Sequence, residues 1–210
     1  MGGFWGCSYM LNALPISWLE TKMMSRVLLL PLVCLALAGC VHEAPVPSTG
    51  YLPEDAFGNS VVGEDPALAA VNDAMIAFAY PERMQGKPAE MALAIASLDA
   101  MAGQFSSSGR WAGWDEVTKQ EMLDARTEVR GLLGVPETAP SQSVIDHLVA
   151  ASHALDSGDQ IAALASLSGP DFTRTPEQTL AILSHFPNAS AANKATMDAN
   201  LNFFPVDHDW

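Results

Sequence analysis

From Val41 to Trp210 the chain contains no cysteine; all three, Cys7, Cys34 and Cys40, fall in the first forty residues. A disulfide framework and a cysteine-based zinc or iron–sulfur site are therefore excluded from the body of the molecule. Positive charge is scarce too. Ten lysines and arginines face 24 acids, giving a net charge of −14 and a pI near 4.5. Nucleic-acid binding needs basic side chains to displace phosphate counterions, and this surface cannot supply them. Nor does any Lys/Arg run exist to hold anionic lipid. The acidity itself reads as a solubility device.

Catalytic and cofactor signatures are missing as well: no G-x-S-x-G, H-E-x-x-H, phosphate-binding glycine loop, C-x-x-C or C-x-x-C-H occurs. Asp156-Ser157-Gly158-Asp159 lacks the further ligands and the closing Glu of an EF-hand loop, and reads as a turn with a helix cap at Asp159. We expect no cofactor and no metal. No segment alternates β-branched and polar residues with a period of two, so no substantial sheet is expected.

What the chain does have is apolar content, 49% of its 210 residues, enough for one packed domain. From Pro66 onward that content falls at helical spacing. Asp65 caps a first helix whose stripe is Leu68, Val71, Met75 and Phe78, ending before Pro81. Pro88 opens a second, with Met91, Ile95, Leu98, Ala102 and Phe105, broken by Ser106–Gly109. A third starts near Trp114 and carries Val117, Met122, Ala125, Val129 and Leu132 inward until Gly134 and Pro136 stop it. Ser141 to Leu155 forms a fourth, on Val144, Leu148, Ala151 and Leu155. Ile161, Leu164 and Leu167 make a short fifth. Thr175-Pro176-Glu177-Gln178 is a capping box leading Leu180, Leu183 and Phe186 into a sixth. An Ala- and Asn-rich seventh spans about Ser190 to Asn202. The fold expected is all-α: an irregular bundle of six or seven short helices over residues 66–204, followed by an acidic tail, 205–210.

Ahead of that domain, residues 41–66 hold four prolines, three glycines and several acids, which interrupt any helical period. Residues 40–65 therefore read as a flexible tether of about 80 Å when fully extended. Tyr51, Phe57, Val61 and Val62 are its side chains able to dock on the domain.

Before the tether, Val27 to Val41 is an uncharged run of fifteen residues behind Arg26. It is short of the ~20 residues a spanning helix needs, and it contains Pro31. A positive flank, a short apolar core and small closing residues form the anatomy of a secretory signal. The closing Leu37-Ala38-Gly39-Cys40 resembles the lipobox of bacterial lipoproteins. That resemblance implies diacylglyceryl attachment to the Cys40 thiol, cleavage between Gly39 and Cys40, and acylation of the new amino group. Acyl chains, at about 0.8 kcal/mol per buried methylene, anchor a protein without a spanning helix. Residues 1–39 are then a signal whose compact form begins at Met23 or Met24, ahead of Ser25-Arg26, with Met1 to Lys22 an over-extended start. Cys34 and Cys7 would go with them. By the same resemblance Val41, where an Asp would favour inner-membrane retention in enterobacteria, leans the protein toward the outer membrane.

The remaining candidates are weaker in kind. His147 and His153 lie six residues apart on one helix, about 120° around its axis, and cannot chelate one metal. His185 suits a helix C-terminus. Asp207-His208-Asp209 reads as a frayed acidic end. Methionines 75, 91, 101, 122 and 197 fall mostly on helical stripes, as core filling. In Gly109–Glu116, "GRWAGWDE", Arg110, Trp111 and Trp114 could stack on a glycan ring or anchor a partner; the plainer expectation is Trp114 in the core and Trp111 folded over the helix start.

The expected function is a lipid-anchored, periplasm-facing accessory or interaction protein of the cell envelope, non-enzymatic. It would be held to the membrane through acyl chains on Cys40, and an envelope protein complex is its natural partner. The alternative is an envelope enzyme or glycan-binding module, signalled by a concave pocket with two carboxylates about 5–10 Å apart beside Trp111 and Trp114. A third reading is a repeat scaffold. "LAIASL" at 93–98 resembles "AALASL" at 162–167, an offset of 69 residues, about twice the tetratricopeptide period.

Overall fold

The computed structural model describes residues 47–58 and 63–204, all within one compact unit, 46–210. Among them are seven α-helices and no strand: α1 (Pro66–Ala79), α2 (Pro88–Ser107), α3 (Glu116–Leu133), α4 (Ser141–Asp156), α5 (Gln160–Ser166), α6 (Pro176–Ser184) and α7 (Ser190–Phe203). Two 3-10 turns, Pro81–Arg83 and Gly109–Trp111, sit before and after α2. The fold is all-α and irregular. The signal, Gly39, Cys40 and residues 205–210 lie outside the described residues, as do Val61 and Val62.

Local chemistry sets most boundaries. Asp65 Oδ1 accepts from the Ala67 amide at 3.0 Å, with Pro66 as the first helical residue. Asp115 caps α3 through the Thr118 amide at 2.8 Å, and Asp159 caps α5 through that of Ala162 at 2.9 Å. The Thr175/Gln178 capping box closes at the start of α6. Gly134, at φ +80°, ends α3 in the left-handed conformation that a side chain would strain.

Helix α2 is the axis of the bundle. It packs against α1, α3, α4 and α6, and 14 of its 20 residues are buried, so its apolar character runs round the helix and not along one stripe. Alanines at 92, 94, 96, 100 and 102 let neighbouring helices approach closely, while Met91, Ile95, Leu98 and Phe105 fill the space between them. Helix α7 lies across α1 and α3, burying Ala192, Ala195, Thr196 and Ala199. Its alanines are the packing surface.

Three expected core residues are outside. Val117 is 63% exposed, Ile161 84% and Met197 48%. Each belongs to a helix that buries only a narrow seam, so the apolar spacing overstates the width of the buried face. The two similar hexapeptides sit in unlike settings, one in the buried axis and the other mostly on peripheral α5, unlike the equivalent positions of a repeat.

Candidate functional site

The Arg110–Trp114 segment forms an aromatic corner. Phe105 closes α2 and Phe203 closes α7, and the 3-10 turn between α2 and α3 drops Trp111 between them. Trp111 is 3% exposed, with ring centroids 4.9 Å from Phe105, 4.7 Å from Trp114 and 5.7 Å from Phe203, each edge to face. Trp114 is half-buried, 4.5 Å from Phe105 and 4.8 Å from Phe203. The two indoles therefore reverse their expected places: Trp111 is the core residue. The Arg110 guanidinium lies 4.3 Å over the Trp111 ring and pairs with Asp65, whose other oxygen caps α1. All three residues are engaged with their own chain, and Trp111 offers no face to a sugar.

Carboxylates do share a concavity nearby. About 270 Å³ is lined by Asp115, Glu121 and Asp198, with Val117, Lys194 and Leu201, but neither tryptophan reaches it. The Lys194 ammonium bridges Glu121 Oε1 at 2.5 Å and Asp198 Oδ2 at 2.7 Å, which raises its pKa. Asp115 is committed to the α3 cap.

A serine, an aspartate and a histidine also meet. Ser143 and His147, one turn apart on α4, converge on Asp171 in the loop before α6; Ser143 donates to Asp171 Oδ2, and His147 Nδ1 lies 3.3 Å from the same oxygen. The carboxylate stands between serine and imidazole. A nucleophilic triad requires the imidazole in the middle, so the cluster instead fastens the loop to α4. His153 Nε2 reaches the Ala56 carbonyl at 3.3 Å, and His185 is exposed at the end of α6.

The most developed polar network was legible only in part. Residues 48–52, read from sequence as tether, lie in a groove between α2, α3 and α4. The Ser48 carbonyl accepts from Arg126 Nη1 at 2.7 Å and Ser141 Oγ at 3.1 Å, and Ser48 Oγ accepts from the Ser141 amide at 2.9 Å. The Tyr51 amide donates to Gln142 Oε1, and its carbonyl accepts from Gln142 Nε2. Gly50 is buried, its carbonyl accepting from Gln104 at 3.0 Å. Burial lowers the Arg126 pKa from its ordinary value. Beneath this, Arg130 makes a two-point pair with Asp99, at 2.6 and 2.9 Å, both side chains buried. Its remaining donors reach the Glu137 and Ala139 carbonyls and Ser141 Oγ. Breaking such a pair by removing one partner costs about 3–5 kcal/mol. A signal for it exists: Asp99 is the one charge in α2 after Glu90, in a run otherwise apolar or small.

Comparison with protein-family models, curated protein sequences and solved structures finds no match to this chain.

Proposed function

We propose that this chain is a lipid-anchored accessory protein of a bacterial cell envelope, acylated at Cys40, facing the periplasm, and acting through binding. The observation that carries the reading is Leu37-Ala38-Gly39-Cys40 at the end of a short apolar run behind Arg26. No helix among the described residues is long and apolar enough to cross a membrane. The binding role is supported by the state of the polar groups. The carboxylates of the Asp115–Asp198 concavity are bridged or capping, and Ser143, Asp171 and His147 stand in the wrong order for nucleophilic chemistry. Val41 after the acylated cysteine favours the outer membrane.

The docked segment gives the anchor a short leash. With Ser48 held, residues 40–47 are all that separate the clamp from the acyl chains, a span of at most about 30 Å. An acidic domain would be kept near the lipid surface without adhering to it.

Cys40→Ala tests the anchor. In a bacterium fed an alkyne-tagged fatty acid, the parent chain should take up label and lose its signal, while the variant should do neither. Label persisting in the variant would overturn the assignment. Density separation of inner and outer membranes then reads the location directly.

A further inference from the structure

Four of the large apolar side chains exposed on this protein lie on one face. Met197, Leu201 and Phe204 follow the stripe that Ser190 and Lys194 begin on α7, and Val117 stands beside them on the first turn of α3; they are 48%, 58%, 58% and 63% exposed. The face runs along α7: a concavity of about 270 Å³ lies on its seam with α3, and one of about 310 Å³, lined by α7 residues and Asn188 alone, shares Lys194 and Asp198 with it. Its charged members are of one sign, apart from Lys194: Asp115, Glu121 and Asp198 line it, and Glu116 lies on the same turn as Val117.

Lys194, 63% exposed, already shows the chemistry that suits the site, a cation held between Glu121 and Asp198.

We propose that the α3–α7 seam docks an amphipathic helix of a partner protein, with leucine-like side chains over Val117, Met197, Leu201 and Phe204 and arginines or lysines reaching Glu121 and Asp198. A seam between helices with apolar anchors and a charged edge is the helix-in-groove mode of recognition. Helix α7, 14 residues and about 21 Å long, offers three to four turns of contact. Charge selects this occupant over others. A second copy would bring another −14 charge to an acidic face. An anionic lipid surface is repelled for the same reason. The six residues after Phe204 carry Asp207 and Asp209 and no lysine or arginine.

The inference rests on the reading of the chain as an interaction protein and not on its acyl anchor, which the labelling of Cys40 decides separately. The test uses the full chain in a non-ionic detergent and three fluorescent peptides of about 18 residues: a Leu/Arg amphipathic helix, the same composition scrambled, and a Leu/Glu helix. Anisotropy should show the Leu/Arg helix binding at least about tenfold more tightly than the scrambled peptide, and the Leu/Glu helix not binding. Leu201→Asp should weaken binding about tenfold or more with the circular dichroism unchanged, since that side chain supports no core. Glu121→Gln with Asp198→Asn should weaken it and flatten its salt dependence, whereas Glu177→Gln, exposed on α6, should not. Equal affinity for the scrambled peptide, or indifference to Leu201→Asp, would overturn the proposal. So would self-association of the chain that Leu201→Asp abolishes, which would assign the face to a second copy.

Discussion

Asp73 is the residue whose surroundings most contradict its chemistry. It sits on α1 facing α2, where burial, opposed by one hydrogen bond from Ser97 Oγ at 3.2 Å and reinforced by the charge of Glu90, pushes its pKa up to about 7. In the unfolded chain the carboxyl titrates near 3.8, so between these values the folded protein holds a proton that the unfolded one has released. Stability contributed by this group is therefore greatest below pH 4, falls as pH rises toward 7, and is flat above that. Most folded carboxylates have the opposite sign. Asp73→Asn, which resembles the protonated form, should match the parent in urea midpoint near pH 4 and exceed it at pH 8. A midpoint difference independent of pH would show that the fold does not raise the Asp73 pKa. Sequence offers little warning here, because Asp73 lies in an ordinary helical stretch and its enclosure depends on α2 crossing above it.

At the level of elements, legibility followed the range of the forces involved. The helix starts were readable because Asp65, Asp115, Asp159 and the Thr175/Gln178 box act within three residues of themselves. The width of each buried face was not, because it depends on which neighbours a helix acquires; Val117 and Met197 have core spacing yet lie outside. The segment 48–52 is the clearest case of long-range control. Its Pro/Gly/Ser composition reads as tether, and its ordering comes from residues about fifty to ninety positions away. Gly103 shows how close that approach is: a Cβ there would stand 2.6 Å from the Ser48 carbonyl oxygen and 3.0 Å from Thr49 Cα, both backbone atoms with nowhere to yield. Gly103→Val should expel the segment and cost about 1–3 kcal/mol, as overpacking does. Chymotrypsin, which the folded parent should resist, would then cut after Tyr51. Resistance equal to the parent's would mean that the groove tolerates the side chain and does not hold the segment.

For the whole molecule, the same clamp joins fold to location. Its basic residues are largely spent internally: Lys87, Arg110, Lys119, Arg130 and Lys194 pair with carboxylates, and Arg126 holds Ser48. Apart from exposed Arg83 and Arg174, what remains outward is acid, so the domain is repelled by anionic lipid while, on the proposed reading, eight residues tie it to the bilayer. Those opposed tendencies make the height of the domain a function of the clamp, and the absence of cysteine after Cys40 makes that height measurable. A single cysteine at Ile161→Cys, a position 84% exposed, can carry a donor dye against acceptor-labelled lipid in vesicles bearing the acylated chain. Adding Gly103→Val frees the chain as far as Ala56, which stays buried beneath His153, lengthening the possible leash from about 30 Å to about 55 Å, and transfer efficiency should fall. Inserting a Gly/Ser spacer before Pro47 should lower it likewise while leaving the unfolding midpoint at the parent's value, because that insertion touches no clamped residue. If the spacer lowers transfer and Gly103→Val does not, the leash is real but the groove is not what shortens it; if neither does, contacts elsewhere on the domain set its height.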